Sequence, residues 1–409
     1  MFAYRKKKLY AENVPVERIL RKTGTPVYIY SRKMLEGNYD RIDGAFSEVP
    51  HIVCYAVKAN TNSAVCRTLF SRGAGADIVS GGELYRSLRA GVPPSKTVYA
   101  GVAKTSGEIE YALRSNVLMF NAESAEELAN IDRISRRLRK KARVALRVNP
   151  NVDAHTHKYV TTGKSENKFG IPLREAARIY TAGRYGNLDL CGIHCHIGSQ
   201  ITEAGPYALM AKRISKLASG LISSGVGIRY INLGGGLGIR YYRESPADPG
   251  KFSARILPAF RGLKVTFIIE PGRYIAGNAG IMVTGVVYRK KGRKKNFLIV
   301  DAGMNDLVRP TLYGSYQDII PVKAGGSRRV RADVVGPVCE TGDFLGKDRM
   351  LPWLEQGECL AVTCAGAYGF AMASQYNSRG RPAEVMVNGG AWRTVRSREN
   401  YRDLVRKEN

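Results

Sequence analysis

Tyr55-Ala-Val-Lys-Ala-Asn60 closes an apolar, β-branched run that begins at residue 52, and an amphipathic stretch over residues 64–73 follows it directly. That is a strand handing over to a helix, because apolar residues first cluster in a short run and then recur at helical spacing. The same alternation continues downstream. Strands are predicted at residues 76–80, 97–101, 117–121, 143–149, 188–196, 229–233 and 265–270, with helical periods including 83–91, 106–115, 125–141, 173–186 and 207–225. Thr105 with Glu108, and Ser124 with Glu127, have the spacing of capping boxes, in which each partner satisfies an orphan N–H of the other. Repeated strand-then-helix units with buried-looking strands imply a parallel sheet. Eight of them imply an α/β fold of the TIM-like (β/α)8 barrel type, with an open doubly wound sheet as the alternative.

After about residue 280 the pattern changes. Residues 281–288, 296–300, 328–335 and 358–365 read as strands joined by turns, without long helical periods, so a C-terminal, mainly β domain is expected. The basic tract 289–295 contains Gly292 between two apolar runs and reads as a solvated hairpin turn. The expected division is an N-terminal segment 1–25 packing with the β domain, a barrel over 26–278, and the β domain over 279–409. A chain of 409 residues exceeds the ~250 to 300 at which single cores stop growing, which agrees with two domains.

Hydrophobic content of 44% and charged content of 24% are those of an ordinary globular protein. No apolar stretch approaches the ~20 residues needed to cross a bilayer, and residues 1–9 are basic without the apolar region of a secretory signal. A cytoplasmic protein without a membrane partner is expected. Seven cysteines, an odd number in a long chain, fit reduced thiols better than a disulfide framework. The net charge of +29 attracts polyanions in general, but the basic residues are scattered rather than interleaved with aromatics in one stripe, so no specific nucleic-acid partner is expected.

Active sites of βα barrels occupy the C-terminal ends of the strands, and six of the eight predicted ends carry reactive groups. They are Lys58 on the first, Asp77 on the second, Arg147 and Asn149 on the fifth, His194 and His196 on the sixth, Gly234 to Gly236 on the seventh, and Glu270 to Arg273 on the eighth. A lysine desolvated at the end of an apolar strand becomes an amine nucleophile able to form a Schiff base, although a lysine merely reaching for solvent has the same pattern. Three consecutive glycines let backbone N–H groups approach a phosphate, or simply make a turn. Glu270 suits the ring nitrogen of a bound pyridine cofactor, or a salt bridge to Arg273. His194 and His196, two apart on a predicted strand, share a face; metal binding with Cys339 or a carboxylate is possible in principle, but one imidazole stacking on a cofactor ring accounts better for the set, and no metal is expected.

Taken together, Tyr55-Ala-Val-Lys-Ala-Asn60, Asn167-Lys-Phe-Gly170, His194-Cys-His-Ile-Gly-Ser-Gln200, Gly234-Gly-Gly236, Glu270-Pro-Gly-Arg273, Asp301-Ala-Gly-Met-Asn305, Cys339-Glu-Thr-Gly-Asp343 and Gly366-Ala-Tyr-Gly-Phe370 resemble, in order and over nearly the whole chain, the signature motifs of diaminopimelate decarboxylases. The lysine and glycine motifs are shared with ornithine and arginine decarboxylases, whereas Asp301 to Asn305 and Arg309-Pro-Thr-Leu-Tyr313 favour diaminopimelate. The resemblance implies pyridoxal 5′-phosphate (PLP) carried on Lys58, with His196 stacked on its ring and Glu270 at its ring nitrogen. Asp77, Ser199, Gly235, Gly236, Gly272, Arg273 and Tyr368 would complete the cofactor site. Arg273, Arg309, Tyr313 and Tyr368 would meet the substrate, an amino acid, with Glu340 at its distal amino group and Cys339 as the acid that protonates Cα. In the family, Cys339 and Glu340 would come from the other subunit, so a homodimer with shared sites is implied. The competing expectations are a decarboxylase of the same fold acting on ornithine, arginine or carboxynorspermidine, and a catalytically inactive regulatory homologue. Gly380 stands where a larger residue is expected.

Overall fold

The structure, a computed structural model, describes residues 1–153, 168–325 and 328–408. It contains two compact units, one made of residues 38–239 and 245–274 and the other of 1–37, 240–244 and 275–409.

The first unit is the barrel. Its strands are His51–Ala56, Gly75–Ile78, Thr97–Tyr99, Met119–Ala122, Ala142–Asn149, Leu188–His194, Tyr230–Asn232 and Thr266–Ile269, called here the first to eighth. Each pairs in parallel with the next, and the eighth returns to the first through Phe267 opposite His51 and Ile269 opposite Val53. That closure excludes the open doubly wound sheet. Cys54, Val98, Met119, Ala145, Cys191 and Ile268 from six different strands pack into one buried cluster, each aliphatic side chain contributing about 1.5–3 kcal/mol by leaving water. Gly192 on the sixth strand belongs to this packing, since a Cβ there would lie 2.9 Å from Met119 Sδ and 3.0 Å from Ala145 Cβ.

All eight strands lie where the periodicity places them, but most end early. The first stops at Ala56, where its ladder with Gly75–Ile78 runs out, and Lys58 sits in a 3-10 turn, Val57–Ala59. Thr105 and Glu108 form the expected capping box. Ser124 and Glu127 form half of one. Ser124 accepts from Glu127 N, but the Glu127 carboxylate is drawn away by Lys104 Nζ at 2.6 Å and by Glu123 N at 2.8 Å.

The second unit is built on a mixed sheet ordered Phe344–Pro352, Arg329–Val335, Asn296–Val300, Gly280–Lys291, Val27–Ser31, Ala383–Asn388 and Ala391–Arg396. The basic tract turns a hairpin as expected, with Gly292 N donating to Lys295 O at 2.9 Å. Val27, Ile29, Ile281, Val283, Val385 and Val387 form its core with Leu9, Val14 and Ile19. Phe344–Pro352 escapes a reading by alternation because Asp348 bulges out of it at φ 52°, its N–H held by Asp333 Oδ1 at 2.7 Å. Gly380 has a physical reason: any Cβ there would fall 2.6 Å from the carbonyl oxygen of Glu399. Among the described residues no helix is long and apolar enough to cross a membrane.

Candidate active site

The barrel gathers its reactive residues at the C-terminal ends of its strands. Lys58, one turn beyond the first strand, places Nζ 2.6 Å from Asp77 Oδ2 at the second. The expectation of a desolvated lysine is corrected here: its side chain is 41% exposed, because the strand has already ended, while Asp77 is fully buried. Burial and the negative charge of Glu270 push the Asp77 carboxyl up to about 7, against the pull of Lys58. Its second oxygen, Oδ1, is buried and has no hydrogen-bond partner among the described residues.

Glu270 follows the eighth strand. Its Oε1 accepts from Asn232 Nδ2 at 2.6 Å and from Asn121 Nδ2 at 3.2 Å, and its Oε2 lies 3.3 Å from His194 Nε2. Burial pushes this carboxyl up, but His194, Lys58 and the Asn232 hydrogen bond outweigh it and hold Glu270 well below the usual carboxylate range. It is therefore a buried anion with its partners in place, the condition under which burying a charge is tolerable.

His194 and His196 do not share a strand face, because the strand stops at His194. The two rings have different tasks. His194 faces Glu270, whereas His196 Nδ1 accepts from Gly235 N at 3.1 Å, which leaves the proton of the neutral ring on Nε2. Burial first, then the charges of Arg147 and Lys58, bring His196 down to about 3, so its imidazole is neutral at any physiological pH. Arg147 is itself anchored by Glu123 Oε1 at 2.8 Å. Among the described residues no group of three or more His, Cys, Asp or Glu is arranged to hold a metal ion.

The glycine turn lies between these groups. A Cβ on Gly235 would fall 2.1 Å from Glu270 O, and one on Gly236, at φ 104°, would fall 2.4 Å from Gly198 O. Only glycine fits at either position; the N–H of Gly235 is engaged by His196 Nδ1, and the bare backbone of the turn lets an anion approach as closely as a phosphate requires. Arg273 Nη2 donates to Ser199 Oγ at 3.1 Å, and Pro271 O, next to Gly272, accepts from Ala56 N at 3.2 Å. An anionic carboxylate, a neutral imidazole, a lysine and a glycine turn flanked by an arginine and a serine fit PLP by donor chemistry.

In the second unit Arg309 is buried, with the rings of Tyr241, Tyr313 and Tyr368 centred 5.4–6.0 Å from its guanidinium carbon. Cys339 and Glu340 are exposed; Cys339 N donates to Asn377 Oδ1 at 2.8 Å, and Glu340 Oε2 accepts from Tyr376 at 3.0 Å. Asp343 accepts from Met304 N and Val338 N, both at 2.6 Å, and Thr311 Oγ1 donates to Gly342 O at 2.7 Å. The three sequence motifs around Asp301, Arg309 and Cys339 are thereby joined in one cluster. Of the motif at 167–170, Asn167 lies outside the described residues, and Gly170 N donates to Glu123 Oε2 at 3.1 Å. All seven cysteines are free.

Asn121 and Asn232 were not singled out by sequence, although both stand at the ends of predicted strands, where a polar residue is itself the signal.

The geometry defines a pyridoxal-dependent decarboxylase of the barrel type, and the family "Pyridoxal-dependent decarboxylase, pyridoxal binding domain" matches residues 32–277. More narrowly, the chain belongs to the diaminopimelate decarboxylase family. It is 47% identical over 404 residues to the diaminopimelate decarboxylase of Aquifex aeolicus, covering 98% of this chain and 96% of that one. The crystal structure of the Helicobacter pylori diaminopimelate decarboxylase complexed with L-lysine superposes with a TM-score of 0.93 at 41% identity, covering 96% of this chain and 99% of that chain. The crystal structure of the diaminopimelate decarboxylase from M. jannaschii in co-complex with L-lysine superposes with a TM-score of 0.95 at 35% identity, covering 100% of this chain and 98% of that chain.

Proposed function

We propose that this protein removes one carboxylate of meso-2,6-diaminopimelate to give L-lysine and CO2. The observation that carries this reading is the caged Glu270 anion beside a glycine turn and a strand-end lysine, in a chain of this family. PLP, when bound, supplies an electron sink for the pair left behind as the C–C bond breaks.

The residues of the chain do the rest. Lys58 holds the cofactor covalently, with Asp77 orienting its amine. Gly235, Gly236, Ser199, Gly272, Arg273 and Tyr368 hold the phosphate and its surroundings, and His196 offers a neutral flat face to the ring. Glu270 keeps the ring nitrogen protonated. Arg309 and Tyr313 receive the substrate's distal carboxylate, aided by Arg273 and Tyr368, and Glu340 receives its distal amino group. Cys339 Sγ delivers the proton to Cα. A site with a cation and an anion at fixed separation rejects diamino acids that lack one end, because its own charged group is then left unpaired. The supporting features are the aromatic cage around Arg309 and the exposed carboxylate of Glu340.

We assign Cys339 and Glu340 to the site of the other copy in a homodimer, since both are exposed on their own unit. Free thiols at all seven cysteines support a cytoplasmic setting. The decisive assay is release of CO2 and lysine from meso-diaminopimelate in equal amounts by the PLP-loaded protein. Lysine-linked cofactor without turnover on this substrate would refute it in favour of another diamino acid. Sharing is tested by mixing Lys58→Ala with Cys339→Ala under conditions of subunit exchange. Each variant alone is inactive or strongly slowed, and the mixture regains activity; no recovery means that each site is built from one chain.

A further inference from the structure

The side-chain amide of Asn232 spans two parts of the site that the proposed function uses separately. Its Oδ1 accepts from Gly234 N at 2.9 Å, and its Nδ2 donates to Glu270 Oε1 at 2.6 Å. Asn232 is fully buried at the end of the seventh strand, in register with His194 on one side and Ile268 on the other. Backbone bonds close the same frame: Cys195 N donates to Asn232 O at 2.9 Å, and Glu270 N to Gly234 O at 2.8 Å. Among the side chains only a carboxamide presents one acceptor and two donors from a single planar group, so the two tasks fix its orientation. With the oxygen committed to Gly234, the nitrogen must face Glu270.

We propose that Asn232 is a positioning residue that locks the glycine turn to the Glu270 carboxylate, so that one amide sets the separation between the phosphate end and the ring-nitrogen end of the bound cofactor. Asn121 is its one-sided counterpart. It donates to the same Glu270 oxygen at 3.2 Å, while its side-chain Oδ1 is buried without a hydrogen-bond partner among the described residues; its backbone carbonyl accepts from Lys104 Nζ at 2.8 Å, an ammonium also held by Glu127 at 2.6 Å and Gly101 O at 2.7 Å. Its hydrogen bonds thus serve the carboxylate and not the turn.

This inference rests on the reading that Gly234 to Gly236 cradle the phosphate and that Glu270 meets the ring nitrogen. Three substitutions separate the two arms of the amide. Asn232→Asp keeps the acceptor for Gly234 N and loses the donor to Glu270; Asn232→Leu loses both at similar volume; Asn121→Ala weakens only the carboxylate arm. The full-length protein is titrated with PLP, with inorganic phosphate as competitor, and kcat is followed against pH. Asn232→Asp should leave phosphate competition within about twofold of wild type while lowering kcat by about tenfold or more and moving the acid limb of its pH profile upward, because a second carboxyl now adjoins Glu270. Asn232→Leu should weaken both PLP and phosphate by about tenfold, the size expected when a hydrogen bond to a buried group is lost. Asn121→Ala should lower kcat with phosphate competition unchanged.

Equal weakening of PLP and phosphate by Asn232→Asp and Asn232→Leu, in step with lost thermal stability, would reduce Asn232 to a structural residue and overturn the proposal. A wild-type pH profile in Asn232→Asp would do the same. If one Asn232 variant fails to accumulate, the other decides, since each has its own required pattern. Glu270→Gln in the same assays keeps the levels apart: an undiminished kcat there refutes the role of Glu270 itself, whatever Asn232 does.

Discussion

Lys58→Ala should leave a folded protein with no lysine-linked PLP absorbance and turnover reduced by about a thousandfold or more, as when a nucleophile is removed outright. The same substitution exposes the electrostatics beneath. Lys58 is the cation that holds the buried Asp77 carboxyl down; without it, burial and Glu270 push Asp77 above the value of about 7 that it has with Lys58 present. A carboxyl whose folded-state pKa is raised keeps a proton that the unfolded chain has already lost, so stability falls as pH rises from the unfolded value of about 3.9 towards the folded one. In Lys58→Ala that window extends above pH 7, and melting temperature should drop more steeply between pH 6 and 8 than in wild type. Lys58→Arg separates the two effects. It restores a cation beside Asp77 and with it the wild-type pH dependence of melting, yet forms no covalent link to the cofactor. An unchanged absorption spectrum in Lys58→Ala would remove the lysine from its assigned role, and a flat stability profile would show that Asp77 does not depend on it.

How much of this was legible in the chain follows from what periodicity can and cannot encode. The eight barrel strands and their order could be read because each buried parallel strand is a short apolar run set off from an amphipathic helix. Where each strand leaves the sheet could not be read, since that depends on the length of its neighbour, and this is why Lys58 was expected to be desolvated and His194 and His196 to share a face. Phe344–Pro352 was hidden by its bulge at Asp348, and the short strand Val27–Ser31, buried at every position, offers no alternation to detect. The charged groups of the site were found because a lysine, aspartate or glutamate at a strand end is chemically loud. The neutral amides that make Glu270 a stable anion carry no such signal, and the failed half of the Ser124 box has the same cause: spacing assigns Glu127 to the N–H of Ser124, while the fold gives it to the N–H of Glu123 and to a buried lysine more than twenty residues away.

Glu270→Gln is expected to keep PLP bound while lowering kcat by about a hundredfold, the scale on which removal of one preorganised electrostatic group acts. The amide is nearly isosteric, so the cage of Asn121 and Asn232 should persist in outline, and the glycine turn, whose close approach is to the backbone oxygen of residue 270 rather than its side chain, is untouched. What disappears is the negative charge. Two consequences follow with definite signs. Because Glu270 is among the groups that raise Asp77, its neutralisation lets Asp77 fall from about 7 towards the ordinary carboxylate range, and a pH limb near 7 in PLP binding should move to lower pH. Because Glu270 is itself held low, the wild-type carboxylate stays ionised through the whole of that range, and no acid limb of wild-type activity between pH 5 and 8 belongs to it. Its depressed value stabilises the fold above the unfolded glutamate value of about 4.3 and is lost only in stronger acid. Measuring PLP affinity and kcat from pH 5 to 9 in both proteins tests each sign separately. A limb that stays in place in Glu270→Gln would mean that Asp77 is not the titrating group, and an undiminished kcat would mean that the protonated ring nitrogen does not depend on the Glu270 charge.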